Sequence, residues 1–208
     1  MLLKDREYVV DIVDIGQGGV GIGKHEGFTV FVDGGLLQDK LKVRINKSKK
    51  NYAVGDIVEI LEKSPFRVER KCGKHLAKCG GCQIQELDYK KQLDIKTNEV
   101  KQTISRIGKL DDVLIHPTLG MESPLRYRNK AQFPIQKQNG KTVIGFYKKK
   151  SHDVIPTDTC IIQHDVNDKI IKIIKTYIKA YNVSIYDEKS HTGVLRHLVT
   201  KVGFKTKE

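Results

Sequence analysis

Short apolar runs separated by glycine-rich turns dominate the first third of the chain. Apolar and β-branched residues concentrate at positions 8–15, 20–23, 28–32, 41–45 and 57–61. Such residues favour strands, and the glycines between the runs favour sharp corners. Five short strands with glycine corners predict a small closed barrel of the oligonucleotide-binding type, which we place at residues 1–66.

The fourth of these strands has one apolar face and one basic face. Apolar residues at 41, 43 and 45 alternate with Lys42 and Arg44, and Lys47 continues the basic side into the following turn. Cations clustered on one hairpin suit a phosphate backbone, so these three residues are candidate RNA contacts. A lysine-rich edge strand that only discourages aggregation is the alternative.

Two longer segments have helical periodicity. Residues 88–107 carry a narrow apolar stripe, with Asp88 placed to cap the start and Gly108 the end. A narrow stripe on a polar segment predicts a helix that lies on a surface, either of its own domain or of a neighbouring one. A second helix is predicted over residues 167–181, with a broad apolar face of isoleucines and Tyr177.

A sixth strand is predicted over residues 125–135. The odd positions are mostly apolar, and the even positions are Arg126, Arg128, Lys130 and Gln132. Side chains two residues apart on a strand share a face at about 7 Å spacing. The row therefore predicts a ladder for phosphates, with Gln132 able to read a base edge. A charged solvent face without a ligand is the alternative.

The later strands add further candidate contacts. A strand over 142–147 follows a hairpin turn at 138–140 and brings Phe146 next to the lysines at 148–150. An aromatic ring beside cations is suited to stacking on unpaired RNA bases. A final strand over 193–202 carries Arg196, which is also a candidate RNA contact.

The net charge agrees with a polyanionic partner. The chain has 38 Lys and Arg against 25 Asp and Glu, a formal net charge of +13, and nucleic acid is the commonest partner of such proteins. A lysine-rich protein without such a partner is the alternative. No apolar run reaches the ~18 residues needed to span a bilayer, and the N-terminus lacks a signal-peptide pattern. We expect a cytoplasmic monomer with no membrane association.

Four cysteines are expected to be thiols in that compartment, because its reducing conditions disfavour disulfides. Cys72, Cys79 and Cys82 form a C-x6-C-x2-C pattern, and Cys160 follows much later. Four thiolates can complete either a zinc site or an iron–sulfur cluster, and the spacing alone leaves both open, with unligated core thiols as a third alternative. His75 and His164 lie near these positions and could substitute in a zinc site, although surface histidines are the simpler interpretation.

Several motifs stand in a fixed order along the chain. They are residues 28–32 with the following Gly-Gly, 64–69, Cys72, 79–82 with Gln85, 127–131, 145–146, Cys160 and 195–198. In this order they resemble one family, the AdoMet-dependent RNA uracil-5-methyltransferases that act on 23S ribosomal RNA. The resemblance covers essentially the whole chain, and its most specific motifs are the Cys-Gly-Gly-Cys with Gln85 and the final Leu-Arg-His-Leu.

The resemblance implies a mixed β and α+β fold. A TRAM domain, the predicted barrel, would precede a central α/β domain over residues 67–208, in which the four cysteines hold a 4Fe-4S cluster. The Rossmann-like catalytic domain that uses S-adenosyl-L-methionine would lie beyond this chain, which by itself is expected to bind RNA without catalysing methylation. A zinc-binding, non-catalytic RNA-binding module is the alternative function.

Overall fold

The computed structural model describes residues 1–73 and 78–206. Its contacts form two compact units. The barrel unit comprises Met1–Arg70 and Gln83–Gly120, and the sheet unit comprises Lys71–Cys82 and Met121–Glu208. The division by contacts thus differs from the sequence boundary at residue 66, because residues 83–120 pack with the barrel. Within the described residues, no helix combines the length and apolar character needed to cross a bilayer.

The barrel unit contains the five predicted strands, closed in the order β1-β2-β3-β5-β4. Alternate side chains of these strands point inward and are fully buried, among them Val10, Val30 and Leu41. The strand bounds are β1 Glu7–Gly16, β2 Val20–His25, β3 Phe28–Asp33, β4 Lys40–Ser48 and β5 Tyr52–Glu62. The sequence prediction of a five-stranded closed barrel is confirmed.

Two features close the barrel. Strands β3 and β5 pair in parallel, and β4 pairs with β1 on one side and β5 on the other, both antiparallel. Gly55 of β5 pairs with Ile45 of β4, and a Cβ there would collide with the Val43 side chain and lie 2.8 Å from the Arg44 carbonyl oxygen. Glycine at this position therefore allows the approach that completes the ring of strands.

A helix follows the barrel in the chain. Helix α1, Tyr89–Arg106, begins at Asp88, whose side chain accepts a hydrogen bond from the Lys91 amide at 3.2 Å. None of its residues is buried, and Val100 stays 48% exposed. This agrees with the predicted surface helix over 88–107.

The sheet unit has four strands covered on one face by a helix. The strand order is β8-β7-β6-β9, and every neighbouring pair is antiparallel. Ile171 and Ile178 of the helix pack on Phe133 and Ile144 of the sheet. The bounds are β6 Lys130–Gln138, β7 Lys141–Tyr147, β8 Val154–Pro156, β9 His197–Lys201 and helix α2 Val166–Ala180.

The predicted strand over 125–135 is wrong in its first half, because β6 begins only at Lys130. The backbone of Arg126 has φ of 55°, a left-handed conformation that a strand cannot include. The segment before Lys130 instead hydrogen-bonds to residues 160–163, as described below. The final strand is also shorter than predicted, and the short edge strand β8 was not predicted.

Candidate nucleic-acid interface and cysteine site

All four cysteines lie in the sheet unit, each partly buried and outside any disulfide. Burial raises the pKa of the Cys82 thiol above its usual value, and the thiols of Cys160, Cys79 and Cys72 raise it further. The positive charge of Arg128 acts in the opposite direction on the Cys82 pKa. The structure therefore places the four thiols in one electrostatic neighbourhood, although they come from distant parts of the sequence.

The turn that carries Cys79 is fixed to the end of β7 by main-chain hydrogen bonds. The Gly80 amide donates to the Tyr147 carbonyl at 3.0 Å, and the Lys149 amide donates to the Lys78 carbonyl at 3.0 Å. Within the turn, the Gly81 amide donates to Cys79 Sγ at 3.4 Å. A hydrogen bond from a main-chain amide to sulfur is a contact that metal-binding cysteines commonly accept, and this turn provides one for Cys79.

Arg126 holds the segment that carries Cys160. Its guanidinium Nη1 donates to the Cys160 carbonyl at 2.9 Å and to the Gln163 carbonyl at 3.2 Å, while its amide donates to the Ile161 carbonyl at 2.8 Å. The next residue but one, Arg128, donates its amide to the Ile162 carbonyl at 2.9 Å. Arg126 therefore lies outside the strand on which the ladder was predicted, and its guanidinium binds the Cys160 segment, while its contact with RNA stays a prediction.

In the described part of the chain, no three His, Cys, Asp or Glu side chains are gathered in an arrangement that could hold a metal ion. Zinc needs four sulfurs within about 2.3 Å of one centre. In a 4Fe-4S cluster each thiolate binds a different iron, so the sulfurs lie further apart. The cysteine metal site therefore stays a prediction from the sequence.

Of the two histidines considered as substitute zinc ligands, the structure describes His164. His164 Nδ1 lies 3.2 Å from the Val166 amide, which donates to it, and 3.0 Å from Asp165 Oδ1. These contacts place His164 at the start of α2, in agreement with the simpler interpretation. His75 lies outside the described residues.

The basic face of β4 includes an unexpected carboxylate. Lys42 Nζ lies 3.0 Å from Glu7 Oε2, and Arg44 Nη2 lies 2.7 Å from Glu7 Oε1. Hydrogen bonds from Arg44 and Lys42 lower the pKa of Glu7 below its usual value. Lys47 is exposed beyond them. Glu7 partly neutralises the predicted RNA surface, and pairing of β1 with β4 brings it there.

The second half of the predicted ladder lies on the uncovered face of the sheet. Lys130 and Gln132 are exposed, while Ala131 and Phe133 are buried against α2, as the alternation predicted. Strand β9, which was not considered in that prediction, places Lys201 opposite Lys130 and Val199 opposite Gln132. We call Lys130, Gln132, Val199 and Lys201 the open sheet face.

Phe146 does not lie on that face. Its ring is 5.1 Å from that of Phe133 and packs against the core between sheet and helix, so its predicted stacking on RNA bases stays a prediction without support from this contact. Its neighbour Tyr147 points the other way and stacks on His152 at 5.3 Å between ring centroids. The Tyr147 hydroxyl lies 3.4 Å from His197 Nε2. Burial raises the pKa of Tyr147 and lowers that of His197.

Arg196 is exposed but already has two partners. Its Nη2 donates to Glu188 Oε1 at 3.0 Å, and its guanidinium lies 5.1 Å from the centre of the Tyr186 ring. The other oxygen of Glu188 is 3.0 Å from His152 Nδ1. Glu188 therefore reduces the positive charge at this edge of the sheet, and sequence reasoning missed it because nothing local indicates the contact.

The glycine-rich stretch at 16–19 does not form a nucleotide-binding turn. It makes a short 3₁₀ turn, Gln17–Gly19, between β1 and β2 of the barrel, with no α-helix after it. A dinucleotide-type phosphate site requires such a helix directly after the glycines. This stretch therefore lacks the geometry of that phosphate site.

Comparison with known proteins identifies the barrel and relates the whole chain to longer proteins. The family model described as the TRAM domain matches residues 4–58. An uncharacterized RNA methyltransferase of Clostridium tetani is 48% identical over 98% of this chain, and one of Caldanaerobacter subterraneus is 43% identical over 97%. The chain spans 44% of the length of each of these two relatives.

A solved structure has the same fold. The Pyrococcus abyssi tRNA (uracil-54, C5)-methyltransferase, in complex with S-adenosyl-L-homocysteine, superposes with a TM-score of 0.69. The match covers 96% of this chain and 44% of that protein at 24% identity. Residues 4–58 therefore match the TRAM domain, and nearly the whole chain is similar to part of longer proteins named as RNA methyltransferases.

Proposed function

We propose that this chain is the RNA-binding and iron–sulfur part of an enzyme that uses S-adenosyl-L-methionine to methylate C5 of a uridine in 23S ribosomal RNA. The observation that carries the proposal is the 48% identity to an RNA methyltransferase along 98% of the chain. The TRAM match and the exposed cations of the barrel and sheet support the RNA-binding role.

The choice of ribosomal RNA rests on the cysteine motif. In the family that the sequence resembles, enzymes acting on 23S rRNA carry the TRAM and cysteine segments, which the transfer-RNA enzymes often lack. The Pyrococcus abyssi protein is named as a tRNA methyltransferase, so transfer RNA is the alternative substrate. Both are RNAs with looped, unpaired uridines.

The methyl transfer itself needs groups that we do not assign to this chain. Uracil C5 becomes nucleophilic when a cysteine thiolate adds to C6, and C5 then takes the methyl group of S-adenosyl-L-methionine, which leaves as S-adenosyl-L-homocysteine. A carboxylate base would remove the C5 proton, and the electron pair left at C5 would expel the cysteine thiolate from C6. We assign all four cysteines here to another role, so the chain alone is expected to be inactive. Its proposed contribution is to hold the RNA while the target base is turned out of its stack.

We assign the 4Fe-4S cluster to Cys72, Cys79, Cys82 and Cys160. Bound there, it would connect the Cys160 segment to the turn at residues 79–82, and four protein ligands would leave no open iron for chemistry. Three observations support this assignment. The other three thiols raise the pKa of Cys82, the Gly81 amide donates a hydrogen bond to Cys79 Sγ, and Arg126 holds the Cys160 carbonyl. Zinc remains the alternative metal.

Metal analysis tests the assignment. Protein purified without oxygen should contain iron and inorganic sulfide in equal amounts and absorb broadly near 400 nm, and Cys82→Ser should lose most of both. Zinc at one ion per chain, with no sulfide, would select the alternative. Full metal retention by Cys82→Ser would contradict the four-cysteine assignment under either metal.

The enzymatic proposal requires the whole protein that carries this chain. Incubation with radiolabelled S-adenosyl-L-methionine and separate unmodified 23S rRNA and tRNA transcripts should label the rRNA, with 5-methyluridine as the product after digestion. Labelling of tRNA alone would show that transfer RNA, and not 23S rRNA, is the substrate. Labelling at a base other than uridine would refute the reaction proposed.

A further inference from the structure

The open sheet face contains two lysines in direct opposition. Lys130 of β6 and Lys201 of β9 are cross-strand partners, and both are exposed. Among the described residues, none of the ion pairs within 4.0 Å includes Lys130 or Lys201. Like charges directly opposite each other on a sheet repel, which destabilises the pair of strands. An anion bound between the two ammonium groups would remove that repulsion.

The rest of the face offers contacts for bases. The next cross-strand pair on the same face is Gln132 with Val199, whose side chain is 54% exposed. Gln132 can donate and accept hydrogen bonds, and Val199 offers an apolar surface. His197 lies two residues before Val199 on β9, and its Nε2 is 3.4 Å from the Tyr147 hydroxyl. Along the face, the two lysines are followed by the Gln132–Val199 pair and then by the aromatic rings. Each step between them is two residues along a strand, about 7 Å.

The distribution of charge gives the face a direction. Glu188 lies at the aromatic end, where it pairs with His152 and Arg196. A carboxylate there disfavours phosphate, whereas the stack of His152 on Tyr147 offers a ring whose side chain is 76% exposed. Phosphate is thus favoured at the lysine end and a base at the aromatic end.

We propose that the open sheet face binds an unpaired stretch of RNA, with Lys130 and Lys201 clamping one phosphate. This inference rests on the proposed RNA-binding function and names the site that performs it within the sheet unit. Duplex RNA does not fit, because its bases are stacked inside the helix and cannot reach Val199 or the His152 ring. The covered face of the sheet, which packs on α2, cannot take part.

Charge-reversal variants separate binding from folding. Lys130→Glu converts the repulsive pair into an opposite-charge pair with Lys201, so its melting temperature should equal or exceed that of the wild type. Lys130→Glu/Lys201→Glu restores a like-charge pair and should melt near the wild type. Lys169→Glu, on the exposed side of α2, is the matched control because it changes the net charge equally.

Binding is measured with a short unstructured RNA carrying a fluorescent label. For single strands the logarithm of the binding constant falls by about 0.7 per logarithmic unit of salt for each phosphate contact, so one lost contact weakens binding about 5-fold at roughly 0.1 M salt. Lys130→Glu should lose at least that much, and the double variant should lose more. Lys169→Glu should bind like the wild type.

The possible outcomes distinguish failure of this proposed site from failure of the proposed RNA-binding function. If the wild-type chain binds no RNA, the proposed function fails. If the wild type binds but both charge-reversal variants bind equally well, only the site assigned here is refuted. An equal loss for a duplex of the same length would overturn the preference for unpaired RNA. Loss of binding to a polyglutamate peptide, with RNA binding intact, would assign the face to an acidic protein instead.

Discussion

The pairing of Asp39 with Arg67 offers the sharpest test of how the barrel is held together. The Asp39 carboxylate is fully buried and accepts from Arg67 Nε at 2.8 Å and Nη2 at 2.6 Å. It also accepts from the Leu36 amide at 2.7 Å and the Ser64 amide at 3.0 Å. One side chain thus fixes the turn before β4, the exit from the barrel and Arg67 in a single arrangement.

Asp39→Asn keeps the shape of the side chain but removes its charge. An amide nitrogen cannot accept the bonds that one carboxylate oxygen now accepts, so one backbone amide and one guanidinium nitrogen lose their acceptor. Breaking one partner of a buried ion pair costs about 3–5 kcal/mol. Arg67 keeps contacts to the Gly34 carbonyl and Glu86. We therefore expect the low end, about 3 kcal/mol.

Urea unfolding followed by circular dichroism measures this loss. For a chain of this length the same loss should lower the melting temperature by about 10 °C. The matched control is Lys40→Gln, which breaks the exposed pair of Lys40 with Glu62 at 3.1 Å and should leave the unfolding midpoint nearly unchanged. A loss below about 1 kcal/mol for Asp39→Asn would refute the reasoning that the buried carboxylate organises this part of the barrel.

Three further predictions concern residues with contacts that the sequence did not predict. Glu7→Gln should strengthen RNA binding and steepen its salt dependence, because Lys42 and Arg44 lose their competing partner; a fluorescence titration measures both. Arg126→Met should cost about 1–2 kcal/mol in urea unfolding and leave the salt slope of RNA binding unchanged, because its bonds go to carbonyls of the Cys160 segment. Phe146→Ala should cost about 3 kcal/mol, because its ring packs on Phe133, while RNA affinity at low temperature is retained.

Each of these predictions has a contradicting result. Unchanged affinity in Glu7→Gln would mean that Lys42 and Arg44 do not contact RNA. A flattened salt slope in Arg126→Met would return that residue to the RNA surface. A specific loss of RNA affinity in Phe146→Ala, without loss of stability, would favour the stacking role over the packing role.

The barrel could be predicted from the sequence because its signals are local. Each strand shows its own alternation, as residues 41–45 do, and glycines mark the corners between strands. The helices were predicted for the same reason: Asp88 caps α1 within one turn, and the isoleucines of α2 recur at helical spacing. Closure of the barrel followed from the number and shortness of the strands rather than from any single residue.

The site could be predicted only where a residue acts within its own strand. The exposure of Lys130 and Gln132 was predicted correctly because Ala131 and Phe133, which alternate with them along the strand, are apolar. Arg126 was misplaced because its partners lie about 35 residues later, at Cys160 and Gln163. No alternation within one strand can indicate such a contact.

Two other features depend on pairing between strands that are distant in sequence. Glu7 reaches the cations of β4 only through the register of β1 with β4, which sets Glu7 opposite Arg44. The opposed lysines depend in the same way on the register of β6 with β9. A strand pattern predicts which residues share a face, but the partner strand decides what lies opposite.

Cross-linking tests the central claim, that this chain grips RNA through its basic hairpin and its open sheet face. The chain is bound to RNA containing 4-thiouridine, irradiated and digested, and the cross-linked peptides are identified by mass spectrometry. We predict cross-links in peptides from β4 and from β6 or β9, and none in α2, which covers the opposite face of the sheet. Cross-links confined to α2, or none at all under conditions where RNA is bound, would contradict the account.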